Sequence, residues 1–431
     1  IVQLLLARKD IQINQADVEG TTPLYTACRK GHVDVVQLLL ARKDIQINQA
    51  DENGFTPLYV TCEKGRVDVG RLLLARKDIQ INQADDRGFT PLYTACHFGR
   101  ADIVRLLLTR KDTQINLARK KSGMTPLYIT CENGHVDIVQ LLLARKDIQI
   151  NQADVEGTTP LYITCEKGHV DVVRLLLARK DTQINLADED GGTPLWIACQ
   201  DGHVDVVRLL LARKEIQINQ ALNDGATPLY ITCQNGHADI VQLLLARKEI
   251  QINQAKDDGF TPLYVTCQQG HADVVQLLLA RKDIQINQTG EDLGTPLYVT
   301  CQQGHADVVR LLLARKDIHI NQAMKNGATP LFITCQKGRA DIVRLLLSRK
   351  DIHINLVLND GATPLYIACE KGLVDVVRLL LSRKDIHINQ ARNDGATPLY
   401  IACEKGHVDV VRLVLAFVKW EMLDRSDPPS W

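Results

Sequence analysis

The triplet Thr-Pro-Leu begins at Thr22, Thr56, Thr90, Thr125, Thr159, Thr193, Thr227, Thr261, Thr295, Thr329, Thr363 and Thr397. Every interval is 34 residues, except 35 between Thr90 and Thr125. The extra residue falls in Arg119-Lys120-Lys121-Ser122-Gly123, which reads as a turn. A fixed period of this length constrains the fold more than composition does, because every unit meets the same packing problem against near-copies of itself.

Each unit reads as two short helices and an extended hairpin. In the first complete one, Thr22 suits an N-cap and Pro23 the first helical position, where no backbone donor is needed. Leu24, Ala27 and Cys28 share one helix face, and Gly31 suits the left-handed residue that ends the helix. Asp34 then opens a second helix, near the positive end of its dipole. Val35, Val36, Leu38, Leu39 and Leu40 make that helix apolar over most of its girth, as a helix sandwiched between neighbours should be. Ile45-Gln46-Ile47 alternates like a short strand, and Asp51-Glu52-Asn53-Gly54 closes the unit as a polar turn.

Helices of about ten residues do not bury their apolar faces alone. Stacked on copies of themselves they do, so the expected fold class is mainly α: a solenoid of helix-turn-helix units with β-hairpin loops. Residues 1–416 read as an array of about twelve units, the first truncated, and 417–431 as a C-terminal cap or tail. The chain opens at Ile1-Val2-Gln3 without Met and inside a unit, so the sequence reads as a fragment. The end "AFVKWEMLDRSDPPSW" lacks a further hairpin and reads as a polar-faced cap with a Pro-rich tail, or as a truncated edge.

"GTTPLYTACRKGHVDVVQLLL", residues 20–40, resembles the ankyrin repeat family, a β-turn plus two helices with a Thr-Pro-Leu-His-x-Ala signature. Gly20, Thr22, Pro23, Leu24, Ala27, Gly31, His32, Val36, Leu39 and Leu40 carry the match, and Asn48 resembles the Asn that closes the family's hairpin strand. Tyr25 and its equivalents depart from the signature His, with Trp196 and Phe332 in that place once each. The loop "ARKDIQIN" is one residue longer than the usual form and lacks its Gly. Leu293 stands where other tips have Gly, and Gly70 interrupts the apolar face of a second helix.

Several residue types invite a chemical reading. The twelve Cys, one per unit, share a register from Cys28 to Cys403. Units stacked roughly 10 Å apart hold equivalent Cys too far apart for a disulfide, and too far apart to converge on a metal ion. They read as small buried side chains, and so many unpaired thiols point to an intracellular, cytoplasmic setting. His32 recurs as His in eight units, with Arg66, Arg100, Arg339 and Leu373 in the others, which fits a turn between helices better than catalysis. His319, His353 and His387 fall one unit apart and read as surface variation rather than a metal edge. The aromatics at the Tyr25 position read as half-buried between first helices, and the Asn ladder from Asn14 to Asn389 as satisfying backbone groups in the loops.

Twelve Arg-Lys pairs, Arg8-Lys9 to Arg383-Lys384, would form a basic rail for anions, but Asp or Glu follows each pair and helix C-termini attract cations anyway. Lys plus Arg and Asp plus Glu each total 51, and aromatics do not alternate with the pairs, so a nucleic-acid partner is not expected. No apolar run approaches a membrane span.

What varies on this constant frame is the turn tips and the ends of the first helices. The resemblance implies that such positions line a concave, partner-facing groove. Candidate partner-binding residues are Glu52, Asn53, Phe55, Glu63, Lys64, Asp86, Arg87, Phe89, His97, Phe98, Arg119, Lys120, Lys121, Met124, Glu132 and Asn133. Of these, Phe55, Phe89, His97, Phe98, Met124 and Arg119–Lys121 form an apolar and basic group suited to an anchor. The expected function is a monomeric scaffold that binds a protein, with no catalysis, cofactor or metal. The alternatives are a targeting arm of a larger enzyme, such as a kinase or ubiquitin ligase, and, behind it, a rail that binds anions or nucleic acid.

Overall fold

A computed structural model describes residues 11–290 and 294–423, with side chains to Lys419. The opening Ile1–Leu6, the Arg8-Lys9 pair, the Leu293 substitution and the Pro-rich end from Asp424 lie outside the described residues. The chain divides into two compact units, residues 1–217 and 218–431. In each, the described residues form twelve helices, spanning Pro23 to Leu211 in the first and Pro228 to Leu423 in the second.

The helices come in pairs. The first four pairs are α1 (Pro23–Lys30) with α2 (Val33–Leu40), α3 (Pro57–Lys64) with α4 (Val67–Leu74), α5 (Pro91–His97) with α6 (Ala101–Leu108), and α7 (Pro126–Glu132) with α8 (Val136–Leu143). Within each compact unit, first helices pack on first helices and second on second, so each pair completes the core of the one before it. Each first helix opens on the same cap: Thr22 Oγ1 accepts from Tyr25 N and Thr56 Oγ1 from Tyr59 N, both at 3.1 Å, with Pro next in sequence. Leu58, Cys62, Val69 and Leu73 are buried between pairs, as are their equivalents from Leu92 to Leu380.

Three side-chain ladders tie neighbouring pairs together. In the loops, Asn82 Nδ2 donates to Asp112 O at 2.7 Å, and its Oδ1 accepts from Gln114 N at 2.9 Å. Asn48 in the same unit, and Asn253 and Asn321 in residues 218–431, repeat this. Between helices, His169 Nε2 donates to Glu132 O at 3.0 Å; a carbonyl only accepts, so the proton is on Nε2. Arg100 makes the equivalent bond to Glu63 O at 3.1 Å, which explains why Arg replaces His in this register. Gly134 is required beneath that ring: its φ is +69°, and a Cβ would come within 2.8 Å of His169 Cε1. At the ends of the second helices, Arg76 Nη1 donates to Leu40 O at 2.7 Å, while Nε and Nη2 hold the Asp78 carboxylate at 3.0 and 2.7 Å. Arg110, Arg179, Arg281, Arg315 and Arg349 do the same. The Arg of each such pair is therefore a bridging cap neutralised by its own carboxylate.

Two local expectations are corrected. The described residues contain no strand. Ile45 and Ile47 are buried around an exposed Gln46, so the alternation holds. The pairing does not, because the loop's inter-unit bonds run through the Asn side chain and one backbone bond per tip, such as Asp86 N to Asn53 O at 3.2 Å. That is too few for a ladder. The Tyr25 register is buried rather than half-buried up to Tyr366, with Tyr59 and Tyr93 each 4% exposed, whereas Tyr400 in the last repeat is 59% exposed. The last helix, Val408–Leu423, runs 16 residues where the other second helices run eight or nine, so residue 416 lies inside it. Its Phe417 is buried, while Val408, Asp409, Arg412, Leu415 and Lys419 are exposed, so the described outward face mixes apolar and charged residues.

Candidate functional site

In the second to fourth repeats the ladders are unchanged but the tips are not. The tips at Asp17, Asp51, Asp85, Asp154 and Asp188 are built on an Asp: Asp51 Oδ1 accepts from Asn53 N at 2.9 Å and Phe55 N at 2.8 Å. Asp85 does the same for Arg87 N at 3.0 Å and Phe89 N at 2.7 Å, and its Oδ2 takes Arg87 Nε at 3.2 Å. Its side chain is wholly buried, so this carboxylate is already satisfied. Next along, Arg119 replaces the tip Asp. The inserted residue closes a wider turn, with Gly123 N donating to Arg119 O at 2.8 Å. Arg119 Nε then reaches back to Arg87 O at 3.2 Å.

These tips build a staircase of rings and cations. Phe55 stacks on Tyr59 with centroids 4.6 Å apart, and Phe89 on Tyr93 at 5.0 Å. The Arg87 guanidinium lies between the two phenyl rings, 5.4 Å from Phe55 and 5.0 Å from Phe89. Arg119 lies over Phe89 at 4.5 Å. Contacts of this kind are worth about 0.5–1 kcal/mol each at exposed sites, and they hold the guanidiniums in fixed positions. Behind the staircase lies a cavity of about 110 Å³, lined by Tyr59, Arg87, Phe89, Tyr93, Thr94, His97 and Phe98. Burial pushes the Tyr93 phenol up to about 12, and its hydroxyl points at Met124 Sδ, 3.9 Å away.

Of the expected site residues, the structure brings Phe55, Arg87, Phe89, Arg119, His97, Phe98 and Met124 into this one place. His97 and Phe98 meet edge to face at 4.8 Å, and Phe98 is 43% exposed. The others are spent elsewhere or flank it. Glu63 pairs with Lys64 at 2.8 Å, and Asn133 Nδ2 donates to His97 O at 3.2 Å. Asn53 and Glu52 serve backbone bonds between tips, and Glu132 offers its carbonyl to His169. Asp86, Lys120 and Lys121 do not line the cavity.

Tyr59, Tyr93, Thr94 and Asp85 were not among the expected residues. One signal for Thr94 was legible: its register holds Val or Ile in every repeat from Val60 to Ile401 other than its own. Only Thr26, which is exposed, shares the hydroxyl.

Among the described residues no group of three His, Cys, Asp or Glu could hold a metal ion, and no helix is long and apolar enough to cross a membrane. Eleven of the Cys are buried, and burial pushes the thiols of Cys28 and Cys96 up to about 12, away from nucleophilic chemistry.

A family model described as ankyrin repeats, three copies, matches the chain six times, at residues 1–85, 78–154, 147–222, 214–290, 282–357 and 350–421. The chain belongs to the ankyrin repeat family. Members of this family are generally protein–protein interaction modules. No curated protein matches the chain significantly. The ankyrin frame accounts for the caps, the Gly turns and the buried Leu and Val registers. Among the described residues, tip cations also lie over rings at Lys256 on Tyr230, 5.8 Å, and at Arg392 on Tyr366, 5.9 Å.

Proposed function

We propose that residues 1–416 form a non-catalytic recognition array, ending in a cap or tail at 417–431, and that it docks a partner protein on the tips and first-helix ends of its second to fourth repeats. The observation that carries this reading is the staircase itself: aromatic rings and guanidiniums held rigid beside a cavity, with an exposed Phe98 at its rim. The Arg-Lys pairs lend little to a rail for anions, because Arg76 and its equivalents are already bound to a carboxylate and a carbonyl. Peptides selected on the purified chain from a random library would test the docking reading. They should bind the Phe89→Ala/Phe98→Ala variant at least about tenfold more weakly, the loss expected of a central anchor. Equal binding to an equally folded variant would sink it.

A further inference from the structure

The cavity behind the staircase holds a polar group that its own fold does not use. Thr94 is 2% exposed, and its Oγ1 has no hydrogen-bond partner. The buried Thr hydroxyls one position further along the first helices do not share this fate. Thr61 donates to Pro57 O at 2.7 Å and Thr130 to Pro126 O at 2.6 Å. The Tyr59 hydroxyl lies close to Thr94 and to the Arg87 guanidinium, but no bond of good geometry closes the gap to Thr94. A buried hydroxyl left in this state costs stability unless something outside the chain completes it.

The groups around the gap specify what that something is. Arg87 offers N–H groups beyond the Nε held by Asp85. Tyr59 and Thr94 offer hydroxyls, and the His97 ring closes one side. The carboxylate nearest to Arg87, Asp85, is not part of the cavity lining and is saturated by two backbone N–H groups and Arg87 Nε. The residues that line the cavity include one cation, Arg87, and no carboxylate. A cationic guest is disfavoured, because the phenyl faces it would seek are already covered by Arg87 and Arg119. The space, about 110 Å³, takes several heavy atoms but not a large ring.

We infer that this cavity is a pocket for one carboxylate side chain, an Asp or Glu of the partner protein, gripped by Arg87 and the Tyr59 and Thr94 hydroxyls. This deepens the docking reading above and rests on it. A carboxylate is favoured over a phosphate because a single guanidinium with two neutral hydroxyls matches one negative charge, whereas phosphate sites gather several cations.

The test is a set of oriented peptide pools, identical except for a fixed central residue: Glu, Asp, Gln, Asn, phosphoserine or Ala. The Glu or Asp pool should bind the purified chain about tenfold better than its Gln or Asn counterpart, the gain expected of a charge-assisted hydrogen bond. Arg87→Gln and Thr94→Val should erase that preference. Phe98→Ala should weaken all pools alike and leave the preference standing. Thr94→Val restores the side chain found at Val60, so loss of folding does not confuse the result. Glu and Gln pools that bind equally, yet fail on Phe89→Ala/Phe98→Ala, would overturn the carboxylate pocket and leave the docking reading intact. A phosphoserine pool that outbinds the Glu pool would overturn it as well. No binding by any pool would overturn both.

Discussion

Thr94 differs from the same register of the flanking repeats by one polar atom. Val60 and Ile129 fill its register in the flanking repeats with hydrocarbon, whereas Thr94 puts an orphan hydroxyl there. Removing it should therefore stabilise the free protein: Thr94→Val is expected to raise unfolding stability by about 1 kcal/mol, read from the urea midpoint. A lower midpoint would mean that the hydroxyl is satisfied after all. The opposite sign applies to the loops. Asn82 makes two inter-repeat bonds, to Asp112 O and from Gln114 N, so Asn82→Ala should cost about 1–2 kcal/mol despite the position's exposure. Neither residue advertises its weight by type alone, since both Thr and Asn are ordinary surface residues.

Among the elements, α4 is the anomaly, because Gly70 sits buried within its apolar face. A Cβ there would meet Ile103 Cδ1 at 3.2 Å, a contact with the movable end of a side chain. One repeat on, Val104 occupies the same register, next to a repeat that also presents Ile, at Ile138. Gly70→Ala should thus gain about 1 kcal/mol from helix propensity, checked by the denaturation midpoint. The second-helix ends carry a different dependence. Hydrogen bonds from Arg76, Arg110 and Arg179 hold the carboxyls of Asp78, Asp112 and Asp181 below the usual carboxylate range. A depressed folded value means that each contribution is complete above the ordinary Asp value near 4. It is lost as pH falls through the lower one. These side chains are about half exposed, so each contributes little alone. Melting temperature should hold steady down to about pH 4 and then drop, with a shallower drop in Asp112→Asn.

Across the whole molecule, repetition makes some properties collective. Eleven thiols are buried and Cys403 is exposed. A thiol reagent should label one Cys quickly in the native protein and the rest only as it unfolds; fast labelling of several would contradict the stacked core. Much of the architecture was readable directly from residues. Thr-Pro caps, Gly turns and apolar registers are local signals, and twelve repetitions remove the ambiguity any single one carries. Half of the candidate site was readable too, as Phe55, Arg87, Phe89, His97, Phe98 and Arg119, because they break a pattern that is otherwise kept. The sequence by itself settled the period, the two helices of each repeat and which side chains face the core, since those follow from interactions within about ten residues. Only the tertiary structure decided that the loops pair through Asn rather than as strands, that Asp85 is buried and saturated, and that Arg87 lies between two phenyl rings above an unpartnered Thr94. Those facts depend on how far one repeat is displaced and turned against the next, a distance of about 30 residues in the chain and a few ångströms in space, and no local preference sets it.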